Sequence, residues 1–217
     1  MPKETFHNLP EEKRDKFLAV AITEFANKPY EVASISNIVR EAGIAKGSFY
    51  QYFDDKKDLY AFLVERSAEE KLKLIKDLPA PNPSSELFDS FESMFRSAVH
   101  FEIRQPELAR IAYRAFVEEV PFPNMVAELR RRGTTQFFKQ LLTQGVIHGD
   151  IASETDVDLA AFILETVYYQ VGPYLIKRLG LDLSEDDPSA GFENDSINAI
   201  VTNLMDIIKG GIQGNTS

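Results

Sequence analysis

Apolar residues recur at spacings of three and four along most of the chain, and no stretch alternates apolar and polar residues as a half-buried strand would. The pattern predicts a first helix over about 10–27, with Phe17, Leu18, Ala21, Phe25 and Ala26 on its buried face. Pro10 suits the opening of that helix, Glu11 and Glu12 suit the positive end of its dipole, and Pro29 stops it. A short second helix carries Ile35, Ile38, Val39 and Ala42; Ser34 or Ser36 can cap its start, and Gly43 ends it. A third, over 46–53, places Phe49 and Phe53 on one face. Asp55 caps a fourth over 56–77, and LPAPNPSS at 78–85 reads as a loop. Further helices follow over 84–104, 106–119, from the PFP break at 121–123 to His148 before Gly149, and over 156–179 with a kink expected at Pro173. An acidic loop over 180–195 leads to a last helix at about 195–210 and a frayed GNTS tail. The expectation is an all-α chain of about nine helices.

Composition narrows this. With 217 residues, 44% hydrophobic and 27% charged, the chain suits one or two globular domains. It has no cysteine, which excludes disulfides, thiolate catalysis and cysteine-ligated metal, and agrees with a cytoplasmic location. The charged start MPKETFHNLPEEKRDK has no apolar core, so no secretory leader is expected. The apolar run 159–176 holds Glu165, Gln170 and Gly172-Pro173 and falls short of the roughly 20 residues of a spanning helix. It fits a helix buried on two sides in a soluble dimer. The net charge of −10 speaks against a strong electrostatic DNA binder. That acidity falls mostly beyond residue 58; residues 34–57 carry Arg40, Lys46, Lys56 and Lys57 against Glu41, Asp54 and Asp55.

The window SISNIVREAGIAKGSFYQYFDDKK, residues 34–57, is the most informative. Two short helices joined at Gly43 have the layout of a helix-turn-helix, whose second helix enters the DNA major groove. Phe49 and Phe53 point inward. Gly47, Tyr50 and Gln51 point outward, with Ser48 and Tyr52 on the flanks. Hydroxyls and backbone N–H groups bind phosphates, and an amide reads adenine. The ordered series Gly43, Ile44, Ala45, Lys46, Gly47, Ser48, Phe49, Tyr50, Gln51, Tyr52, Phe53, Asp55, Lys56 resembles the DNA-binding domain of the tetracycline-repressor (TetR) family, over roughly residues 10–65. Pro29 and Ala45 depart from that family's usual glycine and hydroxyl cap. The resemblance implies a three-helix reader in residues 1–58 and an effector-binding and dimerisation domain in 59–217. Ser48, Tyr50, Tyr52 and Lys56 are expected at phosphates, Lys46 and Gln51 at bases, and Gly47 at a close backbone approach; Ser36, at the start of the second helix, joins the expected DNA contacts.

The same resemblance places a homodimer interface on the last two helices, for which Leu164, Val171, Leu175, Ile197, Val201, Leu204 and Ile208 are candidates. It also implies a small-molecule cavity. Candidate lining residues are Phe95, Glu102, Tyr113, Phe116, Phe162, Glu165 and Tyr169, because two acids on apolar faces need partners or a ligand. Pairing of these acids with Arg110, Arg114 or the Arg130–Arg132 run is the alternative, and the acids by themselves favour a cationic or hydroxyl-bearing effector. His7, His100 and His148 form no site, and neither metal nor cofactor is expected. G-x-S-x-G, H-E-x-x-H, a P-loop and G-x-G-x-x-G are all absent, so an enzyme is not expected. The expected function is a regulator, most simply a repressor released from a palindromic operator by an effector; a helical binding or scaffold protein without DNA contact is the alternative.

Overall fold

The N-terminal arm, expected to be irregular, contributes a helical turn, α1 (Glu4–His7), whose Phe6 is fully buried. The structure is a computed structural model and describes residues 2–76, 87–180 and 195–212; the expected loops at 78–85 and 180–195 and the GNTS tail lie almost wholly outside them. Among the described residues no β-strand forms. The helices that follow are α2 (Glu11–Asn27), α3 (Ile35–Ala42), α4 (Lys46–Tyr52), α5 (Lys56–Lys76), α6 (Leu87–Arg104) and α7 (Pro106–Val117). Next come α8 (Pro123–Arg130), a π-helical turn (Arg131–Thr135), α9 (Gln136–His148), α10 (Val157–Leu179) and α11 (Asp195–Ile212). With α8, the π turn and α9 taken as one interrupted helix, the nine expected helices are present and α1 is the addition.

Local chemistry sets the boundaries. The Ser34 hydroxyl accepts from the Asn37 N–H at 3.4 Å and caps α3. Gly43, at φ 72°, closes α3 in the left-handed conformation, and the Ile44 N–H reaches back to the Val39 carbonyl at 3.0 Å. Lys28 is extended, so α2 ends without a left-handed cap, as Pro29 requires. Asp55 accepts from the Asp58 N–H at 2.8 Å, and Asp156 from Asp158 and Leu159 at 3.0 Å each. α10 continues through Pro173.

The chain divides into two compact units: residues 1–69 with 107–127, and 70–106 with 128–217. The division falls inside α5, at 69/70, whereas the sequence reading put a boundary at 58/59, near the start of the same helix. The first unit is built on aromatic contacts. Phe6, Phe17, Phe49 and Phe53 cluster with ring centroids 5.0–6.5 Å apart. Phe25, Tyr30 and Phe122 pack on Tyr60 at 4.8, 5.4 and 5.5 Å. Burial of Tyr60, reinforced by Glu118 against the opposing Arg114, pushes its phenol up to about 12.

The second unit packs α6, α9, α10 and α11 around Phe91, Phe95, Phe138, Tyr168 and Val201. The residues expected at a dimer surface take part in this packing. Leu164, Val171, Leu175, Ile197 and Val201 are buried in this unit's own core, and Leu204 and Ile208 pack against it. α10 and α11 are apolar on a second side, and those residues are the exposed ones: Leu159, Phe162, Ile163 and Tyr174 on α10, and Ile207 on α11. Among the described residues α10 alone has the length and hydropathy of a membrane-crossing helix; its other face lines this core.

Candidate nucleic-acid face and buried polar cluster

α4 presents its ends and one side to solvent. Lys46, Gly47, Tyr50 and Gln51 are exposed, Ser48 and Tyr52 are half-buried, and Phe49 and Phe53 face the core. Ser36 is exposed near the start of α3. A Cβ built on Gly47 meets nothing within 4 Å, and its φ is not positive, so neither conformation nor packing inside the chain demands glycine there.

The end of α4 is held by the arm. The Lys3 N–H donates to the Tyr52 carbonyl at 2.8 Å, and its ammonium reaches the Tyr50 carbonyl at 2.9 Å and Asp54 at 2.7 Å. The Thr5 hydroxyl donates to the Gln51 carbonyl. These contacts satisfy carbonyls that a helix end leaves open. The one sequence signal for them is Phe6, a lone large apolar residue in a charged arm.

Lys56 does not offer a free ammonium. Its Nζ donates to the carbonyls of Tyr30, Glu31 and Ala33 at 2.8, 3.2 and 3.1 Å and lies 4.5 Å from the Tyr30 ring centroid. All three protons are engaged within the chain, where a phosphate contact was expected, and Lys56 ties the 29–33 loop to the start of α5.

In the second unit the candidate effector residues separate. Phe162 is 59% exposed on the outer face of α10 and lines no interior. Tyr113 and Phe116 belong to the first unit. Phe95, Glu102, Glu165 and Tyr169 remain together in the second. Glu165 is fully provided for: Arg130 donates from Nε at 3.3 Å and Nη2 at 3.0 Å, Thr134 at 2.7 Å and Thr135 at 2.9 Å. Burial raises its pKa, but these hydrogen bonds and the Arg130 charge outweigh it, and the carboxyl lies below its ordinary range. Both threonines belong to the π turn, and the two consecutive hydroxyls donate to the same carboxylate oxygen. Arg131 and Arg132 pair with Glu128. The Arg130–Arg132 run is thus ion-paired, as its alternative reading held.

Glu102 has a different setting. A Cβ on Gly172 would stand 2.2 Å from Glu102 Cγ, so the glycine is the space the glutamate occupies. One charge that acts on it is Lys71, which its sequence pattern alone did not bring forward. Lys71 is only 9% exposed, with its ammonium 4.2 Å from the Tyr168 ring centroid, 4.6 Å from Tyr169 and 5.8 Å from Phe101. Burial pulls its pKa down to about 8 against the opposing pull of Glu102. A separate cleft of about 140 Å³, lined by Arg96, Val99, His100, Ile103, Ile197, Asn198 and Val201, contains none of the expected effector residues. Among the described residues no group of His, Cys, Asp and Glu could hold a metal.

Comparison with known proteins decides the family. The profile described as bacterial regulatory proteins, tetR family, matches residues 17–62, and that of the tetracyclin repressor-like C-terminal domain matches 85–206. A TetR family transcriptional regulator from Chloroflexus aurantiacus J-10-FL is 36% identical, with 99% of this chain and 100% of that chain covered and a TM-score of 0.88. The chain belongs to the TetR family. It is a DNA-binding transcriptional regulator. The HTH-type transcriptional repressor KstR2 of Mycolicibacterium smegmatis is 27% identical, over 79% of this chain and 86% of its own length. The fold is shared with Bacillus subtilis FadR in complex with stearoyl-CoA: 18% identity, TM-score 0.66, 92% of this chain and 99% of that chain covered.

Proposed function

We propose that this TetR-family protein is a dimeric cytoplasmic repressor that leaves a palindromic operator when a small molecule binds its C-terminal unit. The observation that carries the reading is the outer face of α4. It combines an exposed tyrosine, an exposed lysine and amide, and a helical glycine with open space above it. Such a face suits a phosphate backbone approaching at close range, with Tyr50 and Ser48 at phosphates and Lys46 and Gln51 at base edges. Lys56 acts by holding the loop before α3.

A palindromic site needs two copies related by a two-fold axis. The unpartnered apolar residues of α10 and α11, namely Leu159, Phe162, Ile163, Tyr174 and Ile207, support a second copy docking there. Repression is supported by the likeness to KstR2, and an apolar effector by the stearoyl-CoA held by FadR. α5 carries residues of both units, so a shift begun in its second half is passed along one helix to Lys56 and its loop. An effector must favour the non-binding arrangement to act at all.

The test is selection of fragments from sheared genomic DNA, beside a Lys46→Ala, Tyr50→Ala control. A short palindrome enriched by the wild type and lost in the control is expected. Equal enrichment by both proteins would remove α4 as the reading element.

A further inference from the structure

Two buried donors in the C-terminal unit have no hydrogen-bond acceptor among the described residues. The Lys71 ammonium lies against the rings of Tyr168, Tyr169 and Phe101 and makes no hydrogen bond among the described residues. The Tyr168 hydroxyl, on a residue 1% exposed, likewise has no hydrogen-bond partner among them. Ser97 Oγ lies near enough to lower the phenol's pKa, but the pair does not meet the geometry of a hydrogen bond. Burial, with Tyr169 and Glu102 adding to it, keeps that phenol protonated far above neutral pH, so it is a donor.

An ammonium and a phenol desolvated without acceptors are costly to the fold. Two neighbouring groups are satisfied within the chain, whereas Arg66 Nε and Arg114 Nη1 are, like the Tyr168 hydroxyl, buried without a hydrogen bond among the described residues. Glu165 has every donor it can use nearby, and Tyr169 shares a 3.3 Å contact with Thr134. What Lys71 and Tyr168 lack in common is one acceptor. Aromatic rings wall the ammonium, and Phe95, Phe138 and Leu164 belong to the same apolar core.

We propose that the effector is a carboxylate carried on an apolar body, with its oxygens accepting from the Lys71 ammonium and the Tyr168 hydroxyl. This rests on the reading of the C-terminal unit as the effector-binding unit and reverses the ligand charge expected from Glu102 and Glu165. Glu165 is already neutralised. Glu102 is the counter-charge already acting on Lys71 and competes with the incoming carboxylate. Lys71 lies on α5, so the anchor of the ligand is on the helix that also carries Lys56.

The probes are straight-chain alkanoates of four to twelve carbons, each paired with the alkanol of equal length and with an alkyltrimethylammonium ion. Binding to the full chain is followed by calorimetry below micelle concentration, and operator binding is measured on the same samples. Wild type is expected to prefer the alkanoate by about ten- to a hundredfold, the scale of one charge-assisted hydrogen bond. Lys71→Met removes the preference while leaving alkanol binding in place. Glu102→Gln increases it, whereas a glutamate anchoring a cationic effector would give the opposite sign. Because, among the described residues, Lys71 faces Glu102 on α6 and the phenols Tyr168 and Tyr169 on α10, the preference falls as pH rises through about 8 and the lysine loses its proton.

Equal binding of alkanoate and alkanol, stronger binding of the cation, no alkanoate binding up to millimolar concentration, or a preference that survives Lys71→Met would each overturn the assignment. DNA binding that remains dependent on Tyr50 in those samples would leave the regulator standing and remove only the effector class. Loss of both would remove the functional reading beneath it.

Discussion

Glu165 accepts from a guanidinium and two threonine hydroxyls, while Lys71, buried in the same unit, has aromatic faces and a distant carboxylate. The same contrast recurs among the lysines. Lys56 gives its three protons to three carbonyls, and Lys71 gives none to any described residue. It recurs again among glycines, since the space over Gly172 is filled by Glu102 and that over Gly47 is open. In each pair one member is completed by the chain and the other is not. The completed member is architecture; the uncompleted one is where the proposed ligand or DNA would belong.

The largest effect should come from breaking the completed charge. Arg130→Met leaves Glu165 buried with only hydroxyl partners, and it should destabilise the protein by about 3 kcal/mol in urea unfolding, as for other pairs broken on one side. The pH dependence has a defined sign. Glu165 has a depressed pKa in the folded state, so its contribution is present above the unfolded value of about 4.3 and is lost as pH falls through the folded one. The gap between wild type and variant should therefore be full at neutral pH and shrink below about pH 4. A gap that stays constant down to pH 3 would mean that Arg130 acts by packing alone.

Lys56→Met is next. It removes three charge-assisted hydrogen bonds and a ring contact at a half-buried position, and a loss of about 2 kcal/mol is expected, together with weaker operator binding. If Lys56 acts only at a phosphate, DNA affinity falls and the melting temperature does not. That outcome would undo the contrast between the two lysines.

What the sequence made legible follows the same division. The helices, the Gly43 turn and the inward Phe49 and Phe53 were readable because each depends on local spacing. Residues such as Leu164 and Val201 are legible as buried, but α10 and α11 are apolar on two sides, and periodicity does not say which side would face a partner. The Glu165 cage depends on a π turn that no residue pattern announces, though Arg130 stood among its candidate partners. Lys71 had a signal that went unread: Tyr60, Val64, Ser67 and Lys71 recur at helical spacing, and all four are buried. A lysine in a buried stripe is as informative as a glutamate in one.

The uncompleted lysine should respond in the reverse sense to Arg130. Replacing the pair as Lys71→Met, Glu102→Gln removes two desolvated charges together, and the double variant should match or exceed wild type by about 1–2 kcal/mol at pH 7. Lys71 has a folded pKa of about 8, below the unfolded value of about 10.4, so between these the unfolded chain holds the extra proton and wild-type stability rises with pH. The advantage of the double variant should close over that window. A double variant less stable than wild type by 3 kcal/mol or so would place this pair with Glu165, as architecture.

The smallest change in stability, and the most direct test of an open space, is Gly47→Ala. A helical glycine costs roughly 0.5–1 kcal/mol relative to alanine, and here a methyl group would meet nothing within 4 Å. The substitution should raise the stability of the N-terminal unit by about that amount. At Gly172 the same methyl would collide with Glu102 at 2.2 Å and lower stability. Selection for folding alone would therefore place alanine at 47. If the vacancy over Gly47 is where a DNA backbone approaches, Gly47→Ala yields a more stable protein that binds its operator less tightly. The two signs separate recognition from folding in one residue. A variant that gains stability and keeps full affinity would show that the open space over α4 is unused, and that the close approach occurs elsewhere on the face.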